Sequence, residues 1–99
     1  MIRIYLDDLR PVPDGWVGAT NYKEAIELIE NNEWSEISLD HDLGDFTMGR
    51  ELTGYDVLMH IVNRKMDGAQ TGLVWVHTAN PVMRIKMEDV IRHYKINLE

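Results

Sequence analysis

Short apolar segments alternate with longer segments of helical periodicity along this chain, and this alternation constrains the fold more than any other feature. The segments Ile2–Leu6, 16–20, 37–39 and Leu73–Val76 are apolar or β-branched and predict four strands. The connections between these segments are long, which predicts right-handed crossovers between parallel strands.

Three positions have residue types that commonly begin helices. Asn21, Thr53 and Asn80 can each cap a first turn: the first two have an acidic residue three positions later, and Asn80 precedes a proline. An apolar stripe of helical spacing follows each of them. Residues 45–52 lack such a pattern and are predicted to form a loop that could close over a ligand.

Together these elements predict an α/β fold: a compact three-layer α/β/α sandwich around a mainly parallel four-stranded sheet. The run Leu73–Val76 is apolar at every position, which is typical of a central strand that is buried on both faces. A chain of 99 residues can bury one core, so we expect a single domain over residues 1–99.

The composition argues against several classes of protein. The formal net charge of −7 disfavours binding to a nucleic-acid backbone or to an anionic membrane. Because no basic stripe accompanies Trp16, Trp34 and Trp75, we expect these side chains to pack in the protein rather than to stack on bases. The chain has no cysteine, so any metal must use oxygen or imidazole ligands. No apolar run could span a bilayer and no signal peptide is evident, which predicts a cytoplasmic location.

Polar side chains directly follow three of the predicted strands. In open α/β sheets ligands bind outside the carboxyl ends of the strands, so we expect these side chains to converge on one crevice. Carboxylates that meet there repel one another, and a basic partner or a divalent cation must offset the repulsion. Oxygen ligands favour Mg²⁺, while the nearby histidines leave Mn²⁺ open. The side chains are Asp7 and Asp8 after the first strand, Asp40, His41 and Asp42 after the third, and His77, Thr78 and Asn80 after the fourth.

Each of these groups also has a purely structural interpretation. The Asp7-Asp8 pair could open a turn before a proline-rich loop, and residues 40–44 could form a solvated turn. His77 could simply close a buried strand, and Asn80 could be only a helix cap. Both interpretations stay open for the single residues, while the shared position at strand ends favours a functional site.

Three arginines lie close in sequence to the predicted crevice, namely Arg10, Arg50 and Arg84. Each could clamp a phosphate or neutralise neighbouring acids, because a guanidinium group pairs equally well with phosphate and carboxylate oxygens.

The motifs, taken in order, resemble a known family. The segments LDDLRPVPDGW (6–16), ISLDHDLG (37–44), TGYDVL (53–58) and VHTANPVMR (76–84) resemble the pattern of cyclic-phosphate-processing receiver domains of bacterial and phage proteins. The resemblance implies a truncated receiver-like, or flavodoxin-like, topology. The chain differs from ordinary signalling receivers because it has no evident fifth strand and no matching lysine.

The resemblance also implies roles for individual residues. In receivers the first acidic pair holds the metal, and Asp40 stands at the position where signalling receivers accept a phosphoryl group. His41 and His77 match the histidines that the cyclic-phosphate family adds, and Arg10 matches its arginine after the acidic pair. Met83 stands where a small residue is expected.

Our leading hypothesis from the sequence is a metal-dependent phosphoesterase that acts on a cyclic phosphate, a related nucleotide phosphate or the end of an RNA. A metal would polarise the phosphoryl oxygens, and an imidazole would transfer a proton to the leaving oxygen. The predicted roles are metal binding by Asp7, Asp8, Asp40 and Asp42, catalysis by His41, His77 and Asp40, and phosphate or substrate binding by Arg10, Thr78, Asn80 and Arg84.

Three alternatives remain. The same site could serve a non-catalytic module that binds or sequesters a nucleotide second messenger. It could serve a signalling receiver with Asp40 as phosphoacceptor, although the missing lysine and the adjacent His41 argue against this. Finally, an inactive domain of this kind could act in protein interactions.

Overall fold

The computed structural model describes residues 1–97, within which the chain forms four strands and three helices. They are, in chain order, β1 (Ile2–Leu6), β2 (Val17–Ala19), α1 (Tyr22–Asn31), β3 (Trp34–Leu39), α2 (Gly54–Met66), β4 (Leu73–Val76) and α3 (Pro81–His93). All strand pairs are parallel, and the sheet order is β2-β1-β3-β4. This order begins the flavodoxin-like arrangement, so the predicted α/β fold and its topology are confirmed.

The helices begin at the predicted caps. The side-chain oxygens of Asn21 and Asn80 each accept a hydrogen bond from the backbone N–H three residues later, at 2.9 and 3.2 Å. At the start of α2, the Asp56 carboxylate accepts a hydrogen bond from the backbone N–H of Thr53 at 2.8 Å. These contacts satisfy N–H groups that a first turn leaves without partners, so local sequence fixes where each helix starts.

All three helices pack against one face of the sheet. Along β1, Ile4 and Leu6 are fully buried under the helices, whereas Arg3 is exposed and Tyr5 half-buried on the opposite face. Burial of each such aliphatic side chain stabilises the fold by about 1.5–3 kcal/mol. The helices contribute the following residues to the same core cluster: Ala25, Ile29, Val57, Leu58, Ile61, Val62, Met87 and Ile91.

The structure differs from the predicted three-layer sandwich in one respect: within residues 1–97 no helix lies on the second face of the sheet. The crossovers from β2 to β3 and from β3 to β4 move in the same direction across the sheet, and right-handed crossovers therefore place α1 and α2 on one face. The link from β1 to β2 contains two prolines, which remove backbone donors, and it forms no helix on the other face.

The prediction that β4 is a central strand is wrong. β4 lies at the edge of the sheet next to β3, while β1 and β3 occupy the centre. Val74 is buried, but Leu73 is 41% exposed and Trp75 is 48% exposed. The apolar run thus predicted the strand correctly but not its position in the sheet, because such a run does not show whether both faces of the strand are covered.

The side of the sheet away from the helices is called the open face below. The strand register places its side chains in rows across β1, β3 and β4. Hydrogen bonds from the backbone N–H groups of residues 40 and 77 continue the ladder one residue past the strands. The first row is Arg3, Glu36 and Leu73, the second is Tyr5, Ser38 and Trp75, and the third is Asp7, Asp40 and His77.

No helix within residues 1–97 combines the length and the apolar character needed to cross a membrane.

Candidate functional site

The third row of the open face brings together side chains from three strand ends. Asp40 donates its backbone N–H to the carbonyl of Leu6, and His77 donates its N–H to the carbonyl of Leu39, both at 3.0 Å. One potential ligand atom each from Asp7, Asp40 and His77 lie within 4.8 Å of one another. The structure therefore places these three predicted residues in a single cluster at the carboxyl edge of the sheet.

Asp7 is the anchor of this cluster, and its side chain is completely buried. Oδ1 accepts hydrogen bonds from the backbone N–H groups of Leu9 and Arg10 at 2.9 Å, and Oδ2 accepts from Arg10 Nη1 at 2.8 Å and His77 Nε2 at 3.0 Å. Burial raises the pKa of Asp7, but these hydrogen bonds outweigh it and lower the pKa to about 2. The carboxylate is therefore ionised at neutral pH.

His77 is held at both ring nitrogens. Its Nε2 must donate to Asp7, because an ionised carboxylate can only accept. Its Nδ1 lies 2.7 Å from Oγ of Ser38, so in the neutral imidazole Nδ1 accepts a hydrogen bond from the Ser38 hydroxyl. The ring also stacks on Tyr5, with the centroids 4.5 Å apart and the planes 5° from parallel.

Sequence reasoning did not single out Ser38. A signal was available, because Ser38 is a small polar residue inside an apolar strand and lies two positions before Asp40. Since side chains alternate along a strand, those two residues share a face. The structure shows that the hydroxyl is buried beneath the imidazole of His77 and supplies its second hydrogen bond.

Arg10 lies between the two carboxylates of the row. Its Nη1 is 2.8 Å from Oδ2 of Asp7 and 3.6 Å from Oδ2 of Asp40. The guanidinium therefore acts as the basic partner that offsets their repulsion. The Arg10 side chain is still 44% exposed, which leaves donors free to contact a phosphate in solution.

A crevice of about 340 Å³ opens beside this row. The residues that line it include Asp7, Asp8, Arg10, Asp40, Asp42 and Thr78. Oδ1 of Asp8 is buried and has no hydrogen-bond partner within residues 1–97. A buried carboxylate oxygen without a donor is costly, so a cation or a water molecule at this point would stabilise it.

The donor set fits a hard divalent cation. Within residues 1–97, Asp8 has a buried oxygen without a partner, Oδ2 of Asp40 lies 3.6 Å from Arg10, and Asp40 offers a ligand atom within 4.8 Å of those of Asp7 and His77. Carboxylate oxygens suit both Mg²⁺ and Mn²⁺. Asp42 lines the same crevice, although its side chain is 64% exposed and pairs with His41.

His41, the second predicted catalytic histidine, is placed differently from His77. Its Nδ1 lies 2.8 Å from Oδ1 of Asp42, and it is not among the residues that line the crevice. Its backbone N–H donates to Oδ1 of Asp40 at 2.7 Å, so its contact with the cluster runs through the main chain.

The predicted phosphate-binding residues after β4 divide into two groups. Thr78 lines the crevice and is buried, and its hydroxyl oxygen accepts a hydrogen bond from the backbone N–H of Asn80. Asn80 uses its own side-chain oxygen to cap α3, which favours the structural interpretation of this residue. Arg84 is exposed and points Nη2 toward the carbonyl of Thr78 at 3.5 Å, whereas Arg50 pairs with Asp56 at the start of α2.

A parallel sheet in the order β2-β1-β3-β4, with aspartates at the ends of β1 and β3, defines a receiver-like α/β domain. The chain matches the cyclic-phosphate processing receiver domain over residues 2–93 and belongs to this family. The resemblance that the sequence motifs indicated is thereby confirmed. No curated protein and no solved structure compared with the chain matches it.

Proposed function

We propose that the protein is a metal-dependent phosphoesterase that opens a cyclic phosphate on a nucleotide or a related molecule. The observation that carries this proposal is the row of Asp7, Asp40 and His77, with Arg10 between the carboxylates. It combines ligands for a cation, a donor for phosphate oxygens and a group that can transfer a proton. Membership in a family associated with cyclic-phosphate processing supports the same reaction class.

The reaction would be a hydrolysis. Water adds to phosphorus, one ring P–O bond breaks, and the released oxygen takes up a proton, so that a cyclic diester becomes a monoester. Asp7, Asp8 and Asp40 would hold the cation, which would stabilise the charge that develops on the phosphoryl oxygens. Arg10 and the Thr78 hydroxyl would orient the phosphate from the crevice wall.

We assign the proton transfer to His77 rather than to His41. As an imidazolium, with Nδ1–H donating to Ser38, His77 would carry a transferable proton on Nε2, which faces the acidic row. A proton donor must lie within hydrogen-bond reach of the leaving oxygen, and His77 lies beside the carboxylates where the phosphate would be held. His41 instead pairs with the exposed Asp42.

One observation favours a second candidate, a module that binds or sequesters a nucleotide without turnover. Each oxygen of Asp7 already accepts two hydrogen bonds, and Arg10 already neutralises the carboxylates of Asp7 and Asp40. A phosphate could therefore bind to Arg10 without any cation. A cytoplasmic site of action remains an expectation under either candidate.

Product analysis tests the proposal. The purified protein is incubated with nucleoside 2′,3′-cyclic phosphates and cyclic mono- and dinucleotides, with Mg²⁺, Mn²⁺ or a chelator, and the products are analysed by mass. We expect cation-dependent addition of one water to a cyclic substrate, lost in Asp40→Asn and His77→Gln but kept in His41→Gln. Stoichiometric binding with the ligand recovered unchanged would exclude the proposed phosphoesterase activity and favour the sequestering module.

A further inference from the structure

Trp75 occupies an unusual position for a large aromatic side chain. It lies in the second row of the open face, on the edge strand, and is 48% exposed. Together with the exposed Leu73, Trp75 leaves apolar surface in water on a sheet face that no helix within residues 1–97 covers, and a ligand could cover it. The sequence-based prediction that Trp75 is a packing residue is wrong in this respect.

The indole ring is nevertheless held in place. Its Nε1–H donates a hydrogen bond to Oε1 of Glu36 at 2.9 Å, which satisfies the polar atom and restricts rotation of the ring. An aromatic ring that is fixed before binding loses little conformational entropy when a second ring stacks on it. Trp75 therefore has the properties of a stacking platform.

The platform lies one row away from the candidate site on the same face of the sheet. Trp75 and His77 are two residues apart on one strand and share a face, so the rows are separated by about 7 Å along the strand. The rings of His77 and Tyr5 already stack on this face, which extends an aromatic surface from the acidic row toward the second row. In a nucleotide a single sugar separates the phosphate from the base, and this distance is comparable to the spacing between the two rows.

We propose that Trp75 stacks on the base of the substrate, which defines the substrate class as a nucleoside cyclic phosphate rather than a base-free sugar or polyol phosphate. This inference rests on the proposed function, because the phosphate must lie in the acidic row for its base to reach Trp75. The net charge of −7 is compatible with a single nucleotide or a terminal nucleotide and disfavours long contacts with a nucleic-acid backbone. Open sheets with exposed aromatic residues bind unpaired bases by the same physical means.

The test compares two ligands and four proteins. The ligands are adenosine 2′,3′-cyclic phosphate and the base-free glycerol 1,2-cyclic phosphate, and the proteins are wild type, Trp75→Ala, Trp75→Phe and Leu73→Ala. Leu73 is the matched control, because it is an exposed apolar residue of the same strand and face but lies one row further from the site. Dissociation constants are measured by calorimetry and turnover by product analysis, and circular dichroism checks that each variant is folded.

We expect Trp75→Ala to weaken binding of the adenosine compound roughly tenfold or more, Trp75→Phe to weaken it less, and Leu73→Ala to leave it unchanged. Binding of the glycerol compound should be the same in all four proteins. An unchanged affinity of Trp75→Ala for the adenosine compound would show that Trp75 does not stack on the base. Equal losses of affinity in Trp75→Ala and Leu73→Ala would show the same.

Failure of the proposed function has a different signature. If both compounds bind but neither ring is opened, the proposed phosphoesterase activity is excluded. The comparison of dissociation constants still tests whether Trp75 stacks on the base. If the wild type binds neither compound, both proposals are wrong. Sedimentation tests a third outcome. If the wild type self-associates, and Trp75→Ala abolishes this without affecting nucleotide binding, the open face is an interface between copies of the chain and the stacking proposal is wrong.

Discussion

Oδ2 of Asp7 lies 3.0 Å from Nε2 of His77, although 70 positions separate the two residues in the chain. The strand β3 lies between the strands that lead to them, so the imidazole ring reaches across the end of β3. Ser38 on that middle strand contacts the other ring nitrogen. One side chain thus connects three strands of the sheet, and its orientation depends on all of them.

Asp7→Asn tests the electrostatic part of this arrangement. The pKa of Asp7 is about 2, below its ordinary value of 3.8, so its charge stabilises the folded state above about pH 4. This contribution is lost as the pH falls from about 4 to about 2. We expect the difference in unfolding free energy between wild type and Asp7→Asn to shrink by about 1–2 kcal/mol over this interval. Urea titrations at several pH values measure it, and a constant difference would contradict the assignment.

Ser38→Ala removes the second hydrogen bond of His77. We expect kcat to fall about tenfold with little change in KM, because the imidazole keeps Asp7 but loses its fixed orientation. The stability cost should be about 1 kcal/mol. Ser35→Ala is the matched control, since Ser35 lies on the same strand and makes only a 3.4 Å hydrogen bond to Ile2. Equal losses of kcat in both variants would indicate a general effect on the strand.

Asp8→Asn tests cation binding independently of turnover. Mg²⁺ should raise the melting temperature of the wild type, because a ligand that binds only the folded state stabilises it. Asp8→Asn should lose most of this increase while its metal-free melting temperature stays the same or rises, since the variant removes the negative charge from a carboxylate with a buried, unpartnered oxygen within residues 1–97. Asp14→Asn, an exposed residue of the same loop, is the control and should respond to Mg²⁺ as the wild type does.

Arg10→Ala should have opposite effects on two ligands. The guanidinium group lies against Asp7 and Asp40, where it competes with a cation for the same carboxylates. Its removal should tighten Mn²⁺ binding several-fold and weaken binding of a cyclic phosphate, which loses its charged donor. Calorimetry with each ligand separately measures both effects. Weaker binding of both ligands would mean that Arg10 mainly holds the loop in shape.

Gly54→Ala tests the support beneath the third row. A Cβ atom at residue 54 would lie 1.6 Å from the carbonyl oxygen of Asp40, so the start of α2 or the end of β3 must move. We expect a loss of about 2 kcal/mol or more in unfolding free energy and a loss of activity. Gly49→Ala is the comparison: its Cβ would meet no atom within 4 Å, and only its φ of +77° is unfavourable, at about 1 kcal/mol. Equal stability losses would exclude the steric explanation.

The sequence was most informative where structure depends on neighbouring residues. Asn21 and Asn80 marked two helix starts correctly, because a cap is a contact between residues three positions apart. The convergence of Asp7, Asp40 and His77 was also predictable, because each follows a strand and parallel strands end at the same edge.

The remaining features depend on long-range packing. The apolar run of β4 does not reveal that no helix covers one of its faces, so the exposure of Trp75 could not be predicted. The role of Ser38 depends on a histidine 39 positions away, and strand alternation alone does not identify such a partner. The position of Arg10 between two carboxylates likewise results from the path of the loop after β1.

The single helical layer has a consequence for how a ligand can enter. In a sheet covered on both sides, the only approach to the strand ends is from above the carboxyl edge. Here no helix within residues 1–97 covers the flank on the Trp75 side of the acidic row, and Trp75 is 48% exposed there. A molecule can therefore arrive sideways and extend past the crevice, so the reactive end of a longer oligonucleotide would not have to thread into a closed pocket.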